Sequence, residues 1–65
     1  MKIKSFQDTD TLYIELRQVV VTETRDLDEN MLVDLNVDGQ VCGITIEHAK
    51  EKAEIPRFSF EQIAA

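Results

Sequence analysis

The stretch LNVDGQVCG, residues 35–43, combines a turn signal with a choice of strand register. Asp-Gly between two runs of apolar and β-branched residues is a strong short-range indication of a β-hairpin. The geometry of this turn decides which side chains share a face of the hairpin, because successive strand residues point to opposite faces. The turn therefore decides what the sheet must bury.

A two-residue type I′ turn at Asp38-Gly39 would place Val37 opposite Gln40. The hairpin would then bring three further pairs of apolar side chains to one face: Leu35 with Cys42, Val33 with Ile44, and Met31 with Ile46. The other face would be mixed and suited to solvent or partial cover.

A three-residue loop, Val37-Asp38-Gly39, with Gly39 in the left-handed conformation of a G1 bulge, is the competing geometry. It slips the pairing by one residue and mixes polar and apolar side chains on both faces. Such a slip is costly along a strand with one buried face. We therefore predict the two-residue turn.

The rest of the chain is predicted to form mostly β-strands. Lys2 to Phe6 is a short first strand, followed by a polar hairpin loop at residues 7–10. TLYIEL, residues 11–16, alternates apolar and polar side chains, and residues 19–27 are rich in β-branched residues after a tight connection near Arg17-Gln18. Since parallel pairing would need long crossovers, the sequence predicts a mainly β (α+β) fold, an antiparallel β-meander of about five strands.

One or two short helices are predicted to end the chain. Residues 49–55 are good helix formers with few apolar positions, and Pro56 ends them. Ser59 and Gln62 have the spacing of a capping box, which predicts a final helical turn; a frayed terminus is the alternative.

The chain of 65 residues forms one domain, residues 1–65, with a marginal core. Its single cysteine excludes a disulfide within the chain, and one cysteine with one histidine is too few for a closed zinc site. Oligomerisation is the remaining source of stability. We expect a homodimer with a two-fold axis, formed through the apolar sheet face or through edge strands.

Net charge and hydropathy restrict the classes of binding partner that we expect. A formal charge of −6 repels phosphate backbones, so nucleic acid is an unexpected partner. The N-terminus has no apolar run typical of a signal peptide, and no segment approaches the ~20 apolar residues of a membrane span. We expect a cytoplasmic protein with no membrane contact.

Four residues are ligand candidates. Asp8 and Asp10 place alternating carboxylates in a loop, as calcium sites do, although a solvated turn is the more ordinary interpretation. Glu47 and His48, with Glu51, could form a metal or acid/base cluster where the last strand meets the helix; a surface histidine is the more ordinary interpretation. Cys42 is predicted to be a core hydrophobe, and no cofactor is expected.

Two functional hypotheses follow. The first is a non-enzymatic homodimeric module that binds a partner protein through an exposed edge or its acidic outer face. The second is an accessory protein that binds a small molecule or metal at the strand-to-helix junction. No catalytic constellation supports an enzyme.

Several short motifs resemble one family. The start MKIK, then DTLYIEL at residues 10–16, Asp38-Gly39, and GITIEHA at residues 43–49 are similar to the small prokaryotic proteins of domain of unknown function 2283. The resemblance covers residues 1 to about 50 and implies a compact β-sheet with a short helical ending and no established activity. Thr45 and His48 stand where the family pattern has Glu and Asp, so any role of those acidic positions does not carry over.

Overall fold

A computed structural model describes residues 1–64 of the protein. Five strands form one antiparallel sheet, and one short helix follows them. The elements are β1 (Lys2–Phe6), β2 (Thr11–Glu15), β3 (Glu23–Asp28), β4 (Met31–Leu35), β5 (Val41–Glu47) and α1 (Ala49–Lys52). The predicted mainly β, antiparallel class is confirmed.

The strand order is β1-β2-β5-β4-β3, which differs from the order of a simple meander. Strand β5 lies between β2 and β4, so strands β2 to β5 have the order of a Greek key. Strands β1 and β3 form the two edges of the sheet.

The tight connection predicted near Arg17-Gln18 is wrong, and the hydrogen bonds explain why. The backbone N–H groups of Leu16 and Arg17 both donate to the carbonyl oxygen of Cys42, at 2.9 and 3.3 Å. These bonds hold the chain beside β5 after β2 ends, and residues 16–22 then cross to the far edge. The third strand consequently begins at Glu23.

The two-residue turn predicted at Asp38-Gly39 is also wrong. Asn36 N–H donates to the carbonyl oxygen of Gln40 at 3.0 Å, which closes a three-residue loop, and Gly39 has a left-handed φ of 77°. The Asn36 side-chain oxygen accepts the N–H groups of Asp38 and Gln40, both at 3.0 Å. These side-chain bonds favour the longer loop.

A β-bulge at Cys42 corrects the register. Leu35 pairs with Val41, whereas Asp34 pairs with Gly43, so Cys42 is the extra residue on β5. Beyond the bulge the pairs follow the predicted register: Val33 with Ile44, and Met31 with Ile46. The slip caused by the loop is thus cancelled within two residues, and the apolar side chains still share one face.

The end of the chain is less helical than predicted. Helix α1 covers only Ala49–Lys52, because Ala53 is extended (φ −147°). Of the two alternatives for the end of the chain, a final helical turn at Ser59 to Gln62 and a frayed terminus, the structure has no helical turn, since residues 57–64 have no regular secondary structure. A single turn without a packing surface is too short to be stable by itself.

The protein is flat. Its extents are 36 × 32 × 18 Å and its radius of gyration is 12.9 Å. A compact chain of this length would have a radius of gyration of about 11 Å. A single sheet with little above it accounts for this shape.

Candidate functional site

One face of the sheet is apolar, and we call it the apolar face. Directly opposed residues in an antiparallel pair lie on the same face, so the pairings assign its members. The paired members are Ile3, Leu12, Ile14, Met31, Val33, Ile44 and Ile46. Alternation along β4 and β5 adds Leu35 and Cys42.

Burial of the apolar face is incomplete. Within the described part of the chain, the buried apolar side chains are Leu12, Leu35, Cys42 and Ala49. The central residues Val33, Ile44 and Ile46 are only half-buried, although they occupy the two inner strands. The centre of the sheet therefore has no complete cover.

Residues 53–58 cover one side of this face. A trough of about 280 Å³ separates them from β1 and β2; Leu12 and Ile14 line its floor, and Ile55 and Pro56 line its roof. Ile3 and Phe58 also line the trough. This segment accounts for the cover over Leu12, but strand β4 does not line the trough.

Residues 58–64, which we call the tail, do not close the face. Phe58, Phe60 and Ile63 are 67%, 75% and 80% exposed. Phe60 lines an outer pocket with Met1 and Ile3, at the β1 edge. The tail thus leads away from the centre of the sheet and presents large apolar side chains to solvent.

The opposite face carries a polar bridge across four strands. The Tyr13 hydroxyl on β2 donates to Asp34 Oδ2 on β4 at 2.9 Å, and the Thr24 hydroxyl on β3 donates to Asp34 Oδ1 at 2.8 Å. The hydrogen bond to Asp34 is the main cause that raises the pKa of Tyr13 to about 12, with burial and the Asp34 charge adding to it. A phenol held in its neutral form in this way is a structural hydrogen-bond donor.

Sequence reasoning missed this bridge. A signal was present in Gly43, since a glycine inside a strand often marks a close approach of another group. The Tyr13 ring crosses Gly43 to reach Asp34, and a Cβ at position 43 would overlap the hydroxyl and lie 2.8 Å from Cζ of the ring.

Asp10, one of the ligand candidates, connects the first hairpin to the helix. Its backbone is left-handed (φ 53°), and its carbonyl oxygen accepts the Ala49 N–H at 2.9 Å. Its carboxylate accepts the Lys50 N–H, at 3.2 Å from Oδ1. Asp10 therefore caps the first turn of α1 from another part of the chain.

The other candidates lie around the same junction. Asp8 Oδ1 accepts the N–H of Thr9 at 3.1 Å in the exposed loop. Glu47 pairs with Thr11, and His48 precedes α1 with a left-handed φ of 54° and no side-chain cap bond. The structure thus brings Asp10, Glu47 and His48 to one end of the sheet, with the side chains of Glu47 and His48 exposed.

Within residues 1–64, no group of three or more His, Cys, Asp and Glu side chains is arranged to hold a metal ion. The helix found in this part of the chain is far too short to cross a membrane.

The fold and the apolar face define a small single-sheet β protein whose core is open on one side. The chain belongs to the family described as protein of unknown function (DUF2283), whose model matches residues 2–50. This match confirms the resemblance seen in the sequence and stops at the start of α1, before the tail. No curated protein and no solved structure matches the chain.

Proposed function

We propose that this protein is a non-enzymatic interaction module that works as a homodimer, with the apolar faces of two copies turned toward each other. The observation that supports the proposal is the half-buried centre of the apolar face. Val33 and Ile44 lie opposite each other on adjacent inner strands, where a second layer would normally cover them.

The accessible surface of the chain supports association with a second copy. The chain has an accessible surface of 5415 Å² for a mass of 7.5 kDa. A folded monomer of this mass exposes about 4,250 Å². The excess is about 1,200 Å² per copy, and a stable interface buries about 800 Å² per partner. Two copies therefore have enough surplus surface to form a dimer.

The charges on the edge strands favour a dimer interface through the apolar face over one through the edges. Strand β1 carries Lys2 and Lys4, whereas β3 carries Glu23, Asp26 and Asp28 against one arginine. Either edge, paired with its own copy across a two-fold axis, would place like charges together, which is destabilising.

The mass in solution tests the proposal. Light scattering coupled to size exclusion at micromolar concentration should give twice the chain mass of 7.5 kDa. Val33→Asp should shift the protein toward monomer, while Val37→Asp, at a turn position that is 83% exposed, should leave the mass unchanged. A monomeric wild-type protein would contradict the proposal.

The second candidate function is binding of a small molecule or metal at the strand-to-helix junction. One observation favours it: a pocket of about 290 Å³ lies there, lined by Asp10, Lys50 and Gln7 among others. A thermal-shift screen with divalent cations and common metabolites tests it, with Gln7→Ala and Lys50→Ala, two residues that line the pocket, as the variants. A transition that no compound moves would dispose of this candidate.

A further inference from the structure

We infer that the tail of one copy is the lid over the apolar face of the other copy. This inference rests on the proposed homodimer and names the segment that each copy contributes. It assigns a role to Phe58, Phe60 and Ile63, which lie in a segment with a single charged residue, Glu61.

The path of the chain supports exchange between copies. Ile55 and Pro56 lie over Leu12 and Ile14 of β2, and Phe60 lies beside Ile3 and Met1 at the β1 edge. The chain therefore passes from β2 toward the β1 edge of the sheet between residues 55 and 60. To reach its own β4, the tail would have to double back over residues 53–58, which already occupy that side of the face.

The tail is long enough for the exchange. Packed sheets lie about 10 Å apart, and an extended chain advances about 3.3 Å per residue. Residues 58–64 can thus extend roughly 23 Å, more than twice that spacing, which is enough to reach the partner and to lie as a layer between the two facing sheets.

The composition of the tail suits the surface that it would cover. Phe58 and Phe60 are two residues apart, so in an extended segment both project to the same side. The centre of the apolar face offers Val33, Ile44 and Ile46, which are half-buried. Large aromatic side chains against aliphatic ones would complete the core that a single copy leaves open.

A cross-linking experiment between two different chains tests the lid directly. In a Cys42→Ala background, one chain carries Phe60→Cys and an affinity tag, and the other carries Val33→Cys. After mixing and oxidation with oxidised glutathione, we expect a disulfide-linked pair of unequal chains as the main product. Val37→Cys in place of Val33→Cys is the control, and we expect at least tenfold less of the mixed product from it.

The outcomes separate the two proposals. Three results together would overturn the exchanged lid and leave the homodimer standing. The wild-type protein is dimeric, the mixed product does not form, and a chain that carries both Val33→Cys and Phe60→Cys forms an internal disulfide. A monomeric wild-type protein would overturn both proposals.

A second measurement does not depend on cysteine chemistry. Phe58→Ser with Phe60→Ser should raise the dimer dissociation constant at least tenfold in sedimentation equilibrium, with the circular dichroism of the sheet unchanged. Val20→Ser is the matched control, because Val20 is 80% exposed on the connection between β2 and β3 and should leave the constant unchanged. A dissociation constant unaffected by the double substitution would overturn the lid.

Discussion

The Tyr13 hydroxyl lies 2.9 Å from Asp34 Oδ2, although strand β5 separates the two residues in the sheet. The contact is possible because β5 has Gly43 at the position that the ring crosses. A hydrogen bond between side chains of non-adjacent strands ties β2 to β4 independently of the backbone ladder. Thr24 extends the tie to the edge strand β3.

Gly43→Ala should destabilise the protein because the new methyl group would overlap the Tyr13 hydroxyl. We expect a loss of about 1–3 kcal/mol in the free energy of unfolding, as for other overpacked sites. Urea denaturation followed by circular dichroism measures it.

The control for this prediction is the same substitution in a Tyr13→Ala background. There the methyl group has room, so the additional cost of Gly43→Ala should become small. An equal cost in both backgrounds would show that the ring does not restrict position 43.

The Tyr13 phenol should titrate with a pKa of about 12 in the folded protein. The folded-state pKa lies above the value of about 10 for an unfolded chain, so the bridge contributes stability below pH ~10 and loses it as the pH rises toward ~12. The chain has one tyrosine and no tryptophan, so phenolate absorbance reports this group alone.

Asp34→Asn should lower the Tyr13 pKa, since it removes the charged acceptor that holds the proton. Asp26→Asn removes the same charge from the neighbouring edge strand and should leave the titration unchanged. A Tyr13 titration identical in the wild type and in Asp34→Asn would contradict the bridge.

Asp10→Ala should lower the free energy of unfolding by about 1–2 kcal/mol, because it removes a helix cap and places alanine at a left-handed position. Asp10→Asn keeps an acceptor oxygen and tolerates that conformation, so its cost should be smaller. Asp8→Ala is the control, since the Asp8 carboxylate bonds only the adjacent N–H in the described structure. Equal costs for Asp10→Ala and Asp8→Ala would contradict the capping role.

The mainly β class and the face shared by Val33 and Ile44 could be predicted from the sequence, because the alternation of apolar and polar residues indicates which side chains avoid water. The sequence was not sufficient for the loop at residues 37–39, where the side-chain oxygen of Asn36 accepts two backbone N–H groups. The two turn geometries are not exclusive, because the bulge at Cys42 combines the longer loop with the favoured register.

The strand order and the site were harder to predict. The position of β5 between β2 and β4 depends on pairings between residues far apart in sequence, such as Leu12 with Ile46, which local patterns do not encode. For the ligand candidates, the pattern of acidic residues at the junction was visible. The role of Asp10 as a cap depends on the fold, which places residue 10 beside residue 50.

The Cys42 thiol should react slowly with a disulfide reagent while the protein is folded. Cys42 is 2% exposed, and its Sγ lies 3.4 Å from the carbonyl oxygen of Asp34 within the bulge. Reaction therefore requires local opening, and an opening free energy of about 3 kcal/mol would slow it roughly 100-fold relative to an exposed thiol. Val37→Cys in a Cys42→Ala background provides that exposed reference, and the rate of Cys42 should approach the reference rate in unfolding concentrations of urea. Equal rates for the two thiols in the folded protein would contradict the burial of Cys42, and with it the bulge that restores the register of the hairpin.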